Sequence, residues 1–184
     1  MPKNVKQVPK ELPSVVTSLE KTFKGLKSDK VLGIESWDTS NITNLSETFI
    51  DAENFNQDLS NWKTLNVTDM SATFFNAKKF NSPLDKWDTS NVENMQSKKF
   101  NSPLDKWDTS NVENMQSMFY GASEFNQNIS EWNVKKVKEH SNFCTNSGLK
   151  CGMTEPECKA QNCPTFCCEN NKQCEMCKKA MAMK

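Results

Sequence analysis

The tryptophans of this chain recur at a nearly constant interval, and this interval limits the possible folds more than any other feature of the sequence. Consecutive tryptophans lie 25, 25, 20 and 25 residues apart. A period of this length is typical of proteins built from stacked repeats, in which each repeat buries its apolar side chains only against its neighbours. The five residues are Trp37, Trp62, Trp87, Trp107 and Trp132.

Apolar residues recur with the tryptophans. When each repeat is numbered from its tryptophan as position zero, positions five, eight, twelve, eighteen and twenty-two are almost always apolar. We predict that these columns and the tryptophans form one continuous core, with a tryptophan ladder whose neighbouring rings lie roughly 4–8 Å apart, since adjacent strands are ~4.8 Å apart. The columns are Ile42, Val67, Val92, Val112 and Val137; Leu45, Met70, Met95 and Met115; Phe49, Phe74 and Phe119; Phe55, Phe80, Phe100 and Phe125; and Leu59, Leu84, Leu104 and Ile129.

The spacing within one repeat predicts its local structure. Val67, Met70, Phe74 and Ala77 follow one another at intervals of three and four, which favours one or two helical turns. The segment 59–62 favours a short extended piece. The predicted fold class is therefore an α/β solenoid, a leucine-rich-repeat-like stack of ~25-residue coils with one short strand and one short helix each.

Three regions follow from these patterns. Residues 1–30 are predicted to be an extended N-terminal segment, kept open by three prolines, followed by a capping helix over 14–27. Residues 14–36 also fit a degenerate opening repeat, since terminal repeats are atypical. Residues 31–143 form the repeat solenoid, and residues 144–184 form a cysteine-rich tail.

Several polar columns accompany the apolar ones. Asparagines at positions four and nineteen are interpreted as structural, because an amide can satisfy turn backbone or its own copy in the next repeat. Aspartates at position one are interpreted as turn residues. Threonines fill position two, and we take this column as the candidate ligand-facing set, with ice or crystal-surface binding as a remote alternative. The four threonines are Thr39, Thr64, Thr89 and Thr109.

One repeat is short. Residues 78–97 recur letter for letter as 98–117, and the repeat between Trp87 and Trp107 lacks five residues that carry the Phe and Ala of positions twelve and fifteen elsewhere. We predict a thinner core there, with a bend or opening around residues 95–100, in a stack that remains one cooperative unit.

The repeat resembles a known family. The segment WDTSNVENMQSMFYGASEFNQNISEW, from Trp107 to Trp132, is similar to the surface-protein repeat of about 26 residues found in mycoplasma and listeria lipoproteins, akin to BspA-like leucine-rich-repeat surface proteins. The similarity covers roughly residues 31–143. The resemblance implies a surface or secreted protein, with adhesion or host binding proposed for some members.

All eight cysteines lie in the tail, where little apolar sequence is available for a core. Four disulfides are predicted, because crosslinks replace a core in such segments, and the spacing does not select a pairing. A four-thiolate zinc site at Cys163, Cys167, Cys174 and Cys177 is the rival. The disulfide candidates are Cys144, Cys151, Cys158, Cys163, Cys167, Cys168, Cys174 and Cys177.

Charge and composition narrow the compartment and the partners. Basic and acidic residues number 23 each, all the basic ones being lysine, so no nucleic-acid partner is expected. No apolar run reaches the ~20 residues that span a membrane. The chain begins without a visible signal peptide, yet disulfides imply export, so we predict an extracellular or cell-surface location.

The function expected from the sequence is binding without catalysis. The single histidine, His140, occupies a core column, and neither a paired nucleophile nor a phosphate loop is recognisable, so no catalytic, cofactor or metal residue is assigned. We expect a repeat protein that presents a face to a protein or glycan. A structural spacer with a disulfide- or zinc-stabilised module is the alternative, and ligand identity and oligomeric state stay open.

Overall fold

The computed structural model describes residues 1–95 and 103–149. In these residues the regular elements are one short 3-10 helix, Ile34–Ser36, and six isolated parallel β-bridges. One bridge joins Gln7 to Leu32, and the other five connect position seven of successive repeats. Successive repeats therefore lie side by side, parallel and in the same register. The five bridges are Ser18–Asn44, Asn44–Asp69, Asp69–Asn94, Asn94–Asn114 and Asn114–Glu139.

Backbone hydrogen bonds alternate within and between repeats. Thr48 N donates to Leu45 O at 3.1 Å and closes a turn, whereas Glu47 N donates to Ser71 O of the next repeat at 2.8 Å. The same alternation continues to residue 52. A chain of turns thus occupies the segments where the sequence predicts a short helix. The chain of turns is compatible with apolar residues at intervals of three and four, because such turns also recur every few residues. It also leaves every second backbone N–H free to donate to the next repeat.

The α/β solenoid of leucine-rich-repeat type remains a prediction on these observations. The described residues show parallel stacking of the repeats, but single bridges and turns stand where a strand and a helix were expected in each repeat. The capping helix predicted over residues 14–27 is likewise a series of turns. In that segment Leu19 N donates to Asn44 O and Phe23 N to Thr48 O, which is the register that the opening-repeat interpretation of 14–36 requires.

Two positions in each chain of turns have a left-handed backbone. At position fourteen the residues are Asp51, Asn76, Gly121 and Asn146, types that tolerate this conformation. At position ten the residues are less suited to it, among them Ala72 with φ of 53°. This backbone conformation follows from the turns, whose third residue needs a positive φ.

Replacing Ala72 with glycine is expected to stabilise the protein. A left-handed conformation costs an L-residue about 1–2 kcal/mol, and glycine avoids this cost. The greater freedom of glycine in the unfolded chain offsets about 0.5–1 kcal/mol of that stabilisation. We expect Ala72→Gly to raise the free energy of unfolding in urea by about 0.5–1 kcal/mol. The matched control is Ser71→Gly, next to it but with a negative φ, which should be destabilising. Equal destabilisation by both variants would contradict the left-handed geometry.

The core consists of stacked aromatic columns. Ring centroids are 6.3 Å apart for Trp37 and Trp62, 6.4 Å for Trp62 and Trp87, and 6.4 Å for Trp107 and Trp132, where the sequence predicted roughly 4–8 Å. The phenylalanines of position twelve stack in the same way, with 5.6 Å between Phe49 and Phe74. The columns are almost fully shielded from water, which a stack achieves because each ring covers the ring of the neighbouring repeat.

Each indole N–H also links two repeats. Trp62 Nε1 donates to Ile34 O at 3.0 Å, and Trp87 Nε1 donates to Leu59 O at 3.0 Å. The acceptor is always the carbonyl three residues before the preceding tryptophan, a pattern that continues at Trp107 and Trp132. The tryptophan column therefore satisfies buried polar groups while its rings pack in the apolar core.

Contacts continue across the short repeat. Met95 N donates to Asn114 O at 3.0 Å, and Trp107 Nε1 donates to Leu84 O at 3.0 Å. An apolar cavity of about 20 Å³ lies beside this junction, large enough for about one water but with an apolar wall. The cavity occupies the part of the core where the sequence predicts a missing Phe. It is lined by Met70, Thr73, Phe74, Trp87, Met95, Trp107 and Met118.

Some sequence predictions concern residues that the structure does not describe. Phe100 and most of the predicted bend around 95–100 lie outside the described residues. The same holds for the zinc alternative and for seven of the eight disulfide candidates. Cys144 is described; it occupies position twelve of the closing repeat and is buried there, 2% exposed.

Candidate ligand-binding surface

The threonines of position two do not face a ligand. Thr39, Thr64, Thr89 and Thr109 are only 1–3% exposed. Each hydroxyl donates to the position-one carbonyl of the next repeat, as Thr64 Oγ1 does to Asp88 O at 2.9 Å. The prediction that this column is ligand-facing is therefore wrong. A threonine is stable in the interior because its hydroxyl donates to a backbone carbonyl of the next repeat. A buried threonine column also offers no flat face to ice or to a crystal surface.

The aspartates at position one serve their own turns. Asp38 Oδ1 accepts from Ser40 N at 3.2 Å, and Asp108 Oδ1 accepts from Ser110 N at 2.9 Å. A hydrogen bond from Lys63 lowers the pKa of Asp38, and hydrogen bonds from Ser110 lower the pKa of Asp108. These carboxylates are ionised at neutral pH, and they already accept hydrogen bonds from their own turns. Position one is therefore a structural turn position.

Position four lies on the surface but helps to join the repeats. Asn66 Nδ2 donates to Ser40 O at 2.8 Å, and Asn91 Nδ2 donates to Leu65 O at 2.8 Å. Asn41 and Asn111 make the equivalent bond. The amide nitrogen of each side chain is therefore used between repeats, the role that the sequence suggested, while the column stays accessible to solvent.

Position six supplies a second exposed column beside position four. Its backbone forms a continuous ladder, in which Glu93 N donates to Thr68 O at 2.8 Å and Glu113 N donates to Glu93 O at 3.0 Å. The backbone is thus fixed, while the side chains project into solvent. From Thr43 to Lys138 this column changes from hydroxyl through carboxylate to ammonium.

The two columns together line an open groove of about 360 Å³, which we call the polar groove. Lys136 Nζ donates to Asn111 Oδ1 at 2.7 Å at one end, and Lys138 pairs with Glu113 at 2.8 Å. Glu93 lies next to Glu113 in the same column, one repeat earlier, and forms no ion pair with any described residue. The polar groove is lined by Asn66, Thr68, Asn91, Glu93, Asn111, Glu113 and Lys136.

The chemistry available in the polar groove is hydrogen bonding and charge. It offers amides, a hydroxyl, carboxylates and an ammonium group, which suit recognition of a polar ligand. Within residues 1–95 and 103–149, no group of three or more His, Cys, Asp and Glu residues could hold a metal ion. His140 lies half-buried in the closing repeat and is not among the residues that line the polar groove.

Sequence reasoning missed the polar groove for an identifiable reason. It weighed columns by how constant they are, and position six is not constant. Position six does vary, from Thr68 to Glu93, but so do other exposed positions, such as position sixteen with Glu53 and Lys78, so variation alone does not single it out. A solvent-exposed position in a stack is free to vary because no neighbouring repeat packs on it.

Comparison with known proteins places the chain in a family. The family model described as "Mycoplasma protein of unknown function, DUF285" matches residues 17–98 and 96–151. Neither the curated proteins nor the solved structures include a match. In the part of the chain that the structure describes, no helix is long and apolar enough to cross a membrane. Because the two matches together span more than half of the chain, the protein belongs to this mycoplasma family.

Proposed function

We propose that this chain is a non-enzymatic surface or secreted repeat protein that binds a protein or glycan ligand through the polar groove. The observation that carries the proposal is the convergence of two exposed columns on one open groove whose backbone is fixed by inter-repeat hydrogen bonds. A rigid scaffold with variable exposed side chains is the usual basis of recognition in stacked-repeat proteins. The leucine-rich-repeat type of solenoid, the BspA-like relationship and the extracellular location belong to the same proposal.

The distribution of side chains supports recognition by polar contacts. All five tryptophans are used in the core, so no indole is left to stack on a ligand. The polar groove instead presents amide and carboxylate oxygens as acceptors and the Lys136 ammonium group as a donor, which fits sugar hydroxyls or the polar rim of a protein. Leu65, 54% exposed, adds one apolar contact at its margin, where its carbonyl accepts from the Asn91 amide.

A binding screen with matched variants tests the proposal. The full chain is immobilised and probed with a glycan array and with extracellular-matrix protein extracts. A triple variant, Glu93→Ala, Glu113→Ala and Lys136→Ala, should weaken binding of any captured ligand by about tenfold or more, since central contacts typically contribute at least ~1.4 kcal/mol.

The control removes the same charges elsewhere. Lys86→Ala, Asp105→Ala and Glu124→Ala are exposed residues that do not line the polar groove, and this variant should bind like the parent chain. Equal loss in both variants, or a ligand that neither variant affects, would contradict the proposal. A chain that captures no ligand at all would support the spacer alternative. The intact mass of the protein with and without thiol alkylation would then show whether the cysteines of the tail form disulfides.

A further inference from the structure

Four lysines from three separate stretches of the chain converge on a second groove. This lysine groove is open, with a volume of about 470 Å³, and lies apart from the residues that line the polar groove. Besides the lysines it contains Ser28, Asp29, Leu32 and Asn54. The four lysines are Lys6, Lys27, Lys30 and Lys79.

Backbone hydrogen bonds bring these stretches together. Leu32 N donates to Lys6 O at 2.8 Å, beside the bridge from Gln7 to Leu32. Asn54 Nδ2 donates to Lys27 O at 3.3 Å and so links the first two repeats at this groove. Lys79 N donates to Glu53 O at 3.2 Å and adds the third. The lysines are therefore neighbours because of how the repeats stack, and not because they are close in sequence.

The four ammonium groups of this groove form no ion pair with a carboxylate in the described part of the chain. Six lysines form ion pairs within the described residues, including Lys78, which lies 3.0 Å from Glu53. Lys79 is the next residue and, like the other three, pairs with no carboxylate of residues 1–95 and 103–149. Four positive charges and the one negative charge of Asp29 leave the groove at +3, on a chain whose formal net charge is zero.

The shape and composition of the lysine groove select among polyanions. Single-stranded nucleic acid is usually bound on aromatic platforms, and double-stranded DNA mainly through lysine and arginine contacts to its phosphates. The lysine groove has no aromatic residue to stack on bases, and its four lysines are fewer than the ~6–10 phosphate contacts of a typical duplex-binding protein. A bilayer surface is usually bound by an amphipathic helix with apolar anchors, whereas Leu32 is the single large apolar residue here. Sulfates spaced along a flexible saccharide need only separated point charges and small hydrogen-bonding groups, which this groove offers.

We propose that the lysine groove binds a sulfated polysaccharide through Lys6, Lys27, Lys30 and Lys79. This site is separate from the polar groove and does not depend on its ligand. Binding is electrostatic in origin, so it weakens as salt screens the charges over a Debye length of ~10 Å at 0.1 M. Ser28 donates its hydroxyl to Val5 O and Asn54 donates through Nδ2 to Lys27 O, so the side-chain oxygens of both residues remain as acceptors for saccharide hydroxyl groups.

Titration of the full chain with a size-defined heparin oligosaccharide tests the site. The quadruple variant Lys6→Gln, Lys27→Gln, Lys30→Gln and Lys79→Gln should raise the Kd by about tenfold or more at 0.1 M salt. The control variant, Lys63→Gln, Lys86→Gln, Lys106→Gln and Lys135→Gln, loses the same charge at exposed sites outside the groove and should keep the Kd within about twofold. Equal weakening in both variants would show a diffuse charge effect and overturn the proposal.

Further arms of the experiment make the result specific. Chemically desulfated heparin should lose binding, whereas the four Lys→Arg replacements, which keep the charge, should retain it. Single-stranded DNA or vesicles with anionic lipid that bind as tightly, through the same lysines, would overturn the assignment to sulfated saccharide.

The triple variant of the polar groove should bind the heparin oligosaccharide like the parent chain, so that failure of one site is distinguishable from failure of the other. Melting temperatures within a few degrees of the parent show that the variants are folded.

Discussion

Trp62→Ala is expected to lower the free energy of unfolding by about 4–5 kcal/mol, the upper part of the range for truncating a buried aromatic residue. Trp62 is 2% exposed and stacks between Trp37 and Trp87, with Phe49 at 5.9 Å. Truncation leaves a cavity between two rigid ring columns, and those columns cannot close without shifting the repeats on both sides. It also leaves the Ile34 carbonyl without its indole donor. Because domains are stable by only about 5–15 kcal/mol, the variant should unfold at a much lower urea concentration.

The companion variant Trp62→Phe separates packing from hydrogen bonding. It retains an aromatic ring in the column but removes the Nε1 donor, so we expect a loss of about 1–3 kcal/mol. Far-ultraviolet circular dichroism during urea denaturation measures both variants without relying on tryptophan fluorescence. A cost below about 1 kcal/mol for Trp62→Ala would show that the ring ladder does not carry the core.

Insertion of Met-Phe-Tyr-Gly-Ala after Ser97 is expected to raise the melting temperature by about 3 °C or more. The insert copies residues 118–122 and restores the missing positions of the short repeat. In the full repeat the copied Phe119 is 1% exposed and stacks 4.0 Å from Phe125. A buried Phe contributes about 3–5 kcal/mol, and we expect a shorter backbone to offset part of this. Each 1 kcal/mol shifts the melting temperature of a chain this size by about 2–4 °C.

The apolar cavity beside the junction gives this prediction a structural target. Phe74 and Met118 border the cavity from the repeats on either side, and the inserted Phe belongs to the same column as Phe74. The control insert Met-Ala-Tyr-Gly-Ala has the same length but lacks the ring, and it should give little or no stabilisation. An unchanged or lowered melting temperature with the Phe-containing insert would mean that the short repeat is well packed as it stands.

The period of the sequence sufficed to predict which side chains form the core. Val67, Leu84 and Val112 are fully buried, as their columns require. The reason is geometric: when identical units stack, a residue type that recurs at one position must contact its own copy, and only apolar or self-satisfying groups are stable in such a column. The same period predicted an inter-repeat role for the position-four asparagines, and the structure shows it as a bond from each amide to the preceding repeat.

Local conformation within the repeat was not predictable from spacing alone. Apolar residues at intervals of three and four fit helical turns and also fit successive tight turns. The second solution is found here because Glu47 and Phe49 direct their N–H groups to the next repeat, which an α-helix would use internally. The type of side chain at position two likewise did not decide whether it faces the core or solvent. Thr39 is polar enough for the surface and small enough for the interior, and a carbonyl of the next repeat holds it inside.

The sequence by itself determined the repeat, its apolar columns and the tryptophan ladder, since these depend only on which residue types recur at a fixed interval. Tertiary structure decided the surface. The polar groove exists because positions four and six of neighbouring repeats face solvent together, and the lysine groove exists because stacking brings Lys6, Lys30 and Lys79 to one place. The interval shows which residues share a column, but which columns face solvent together, and therefore which charges act together, is decided only when the backbone folds.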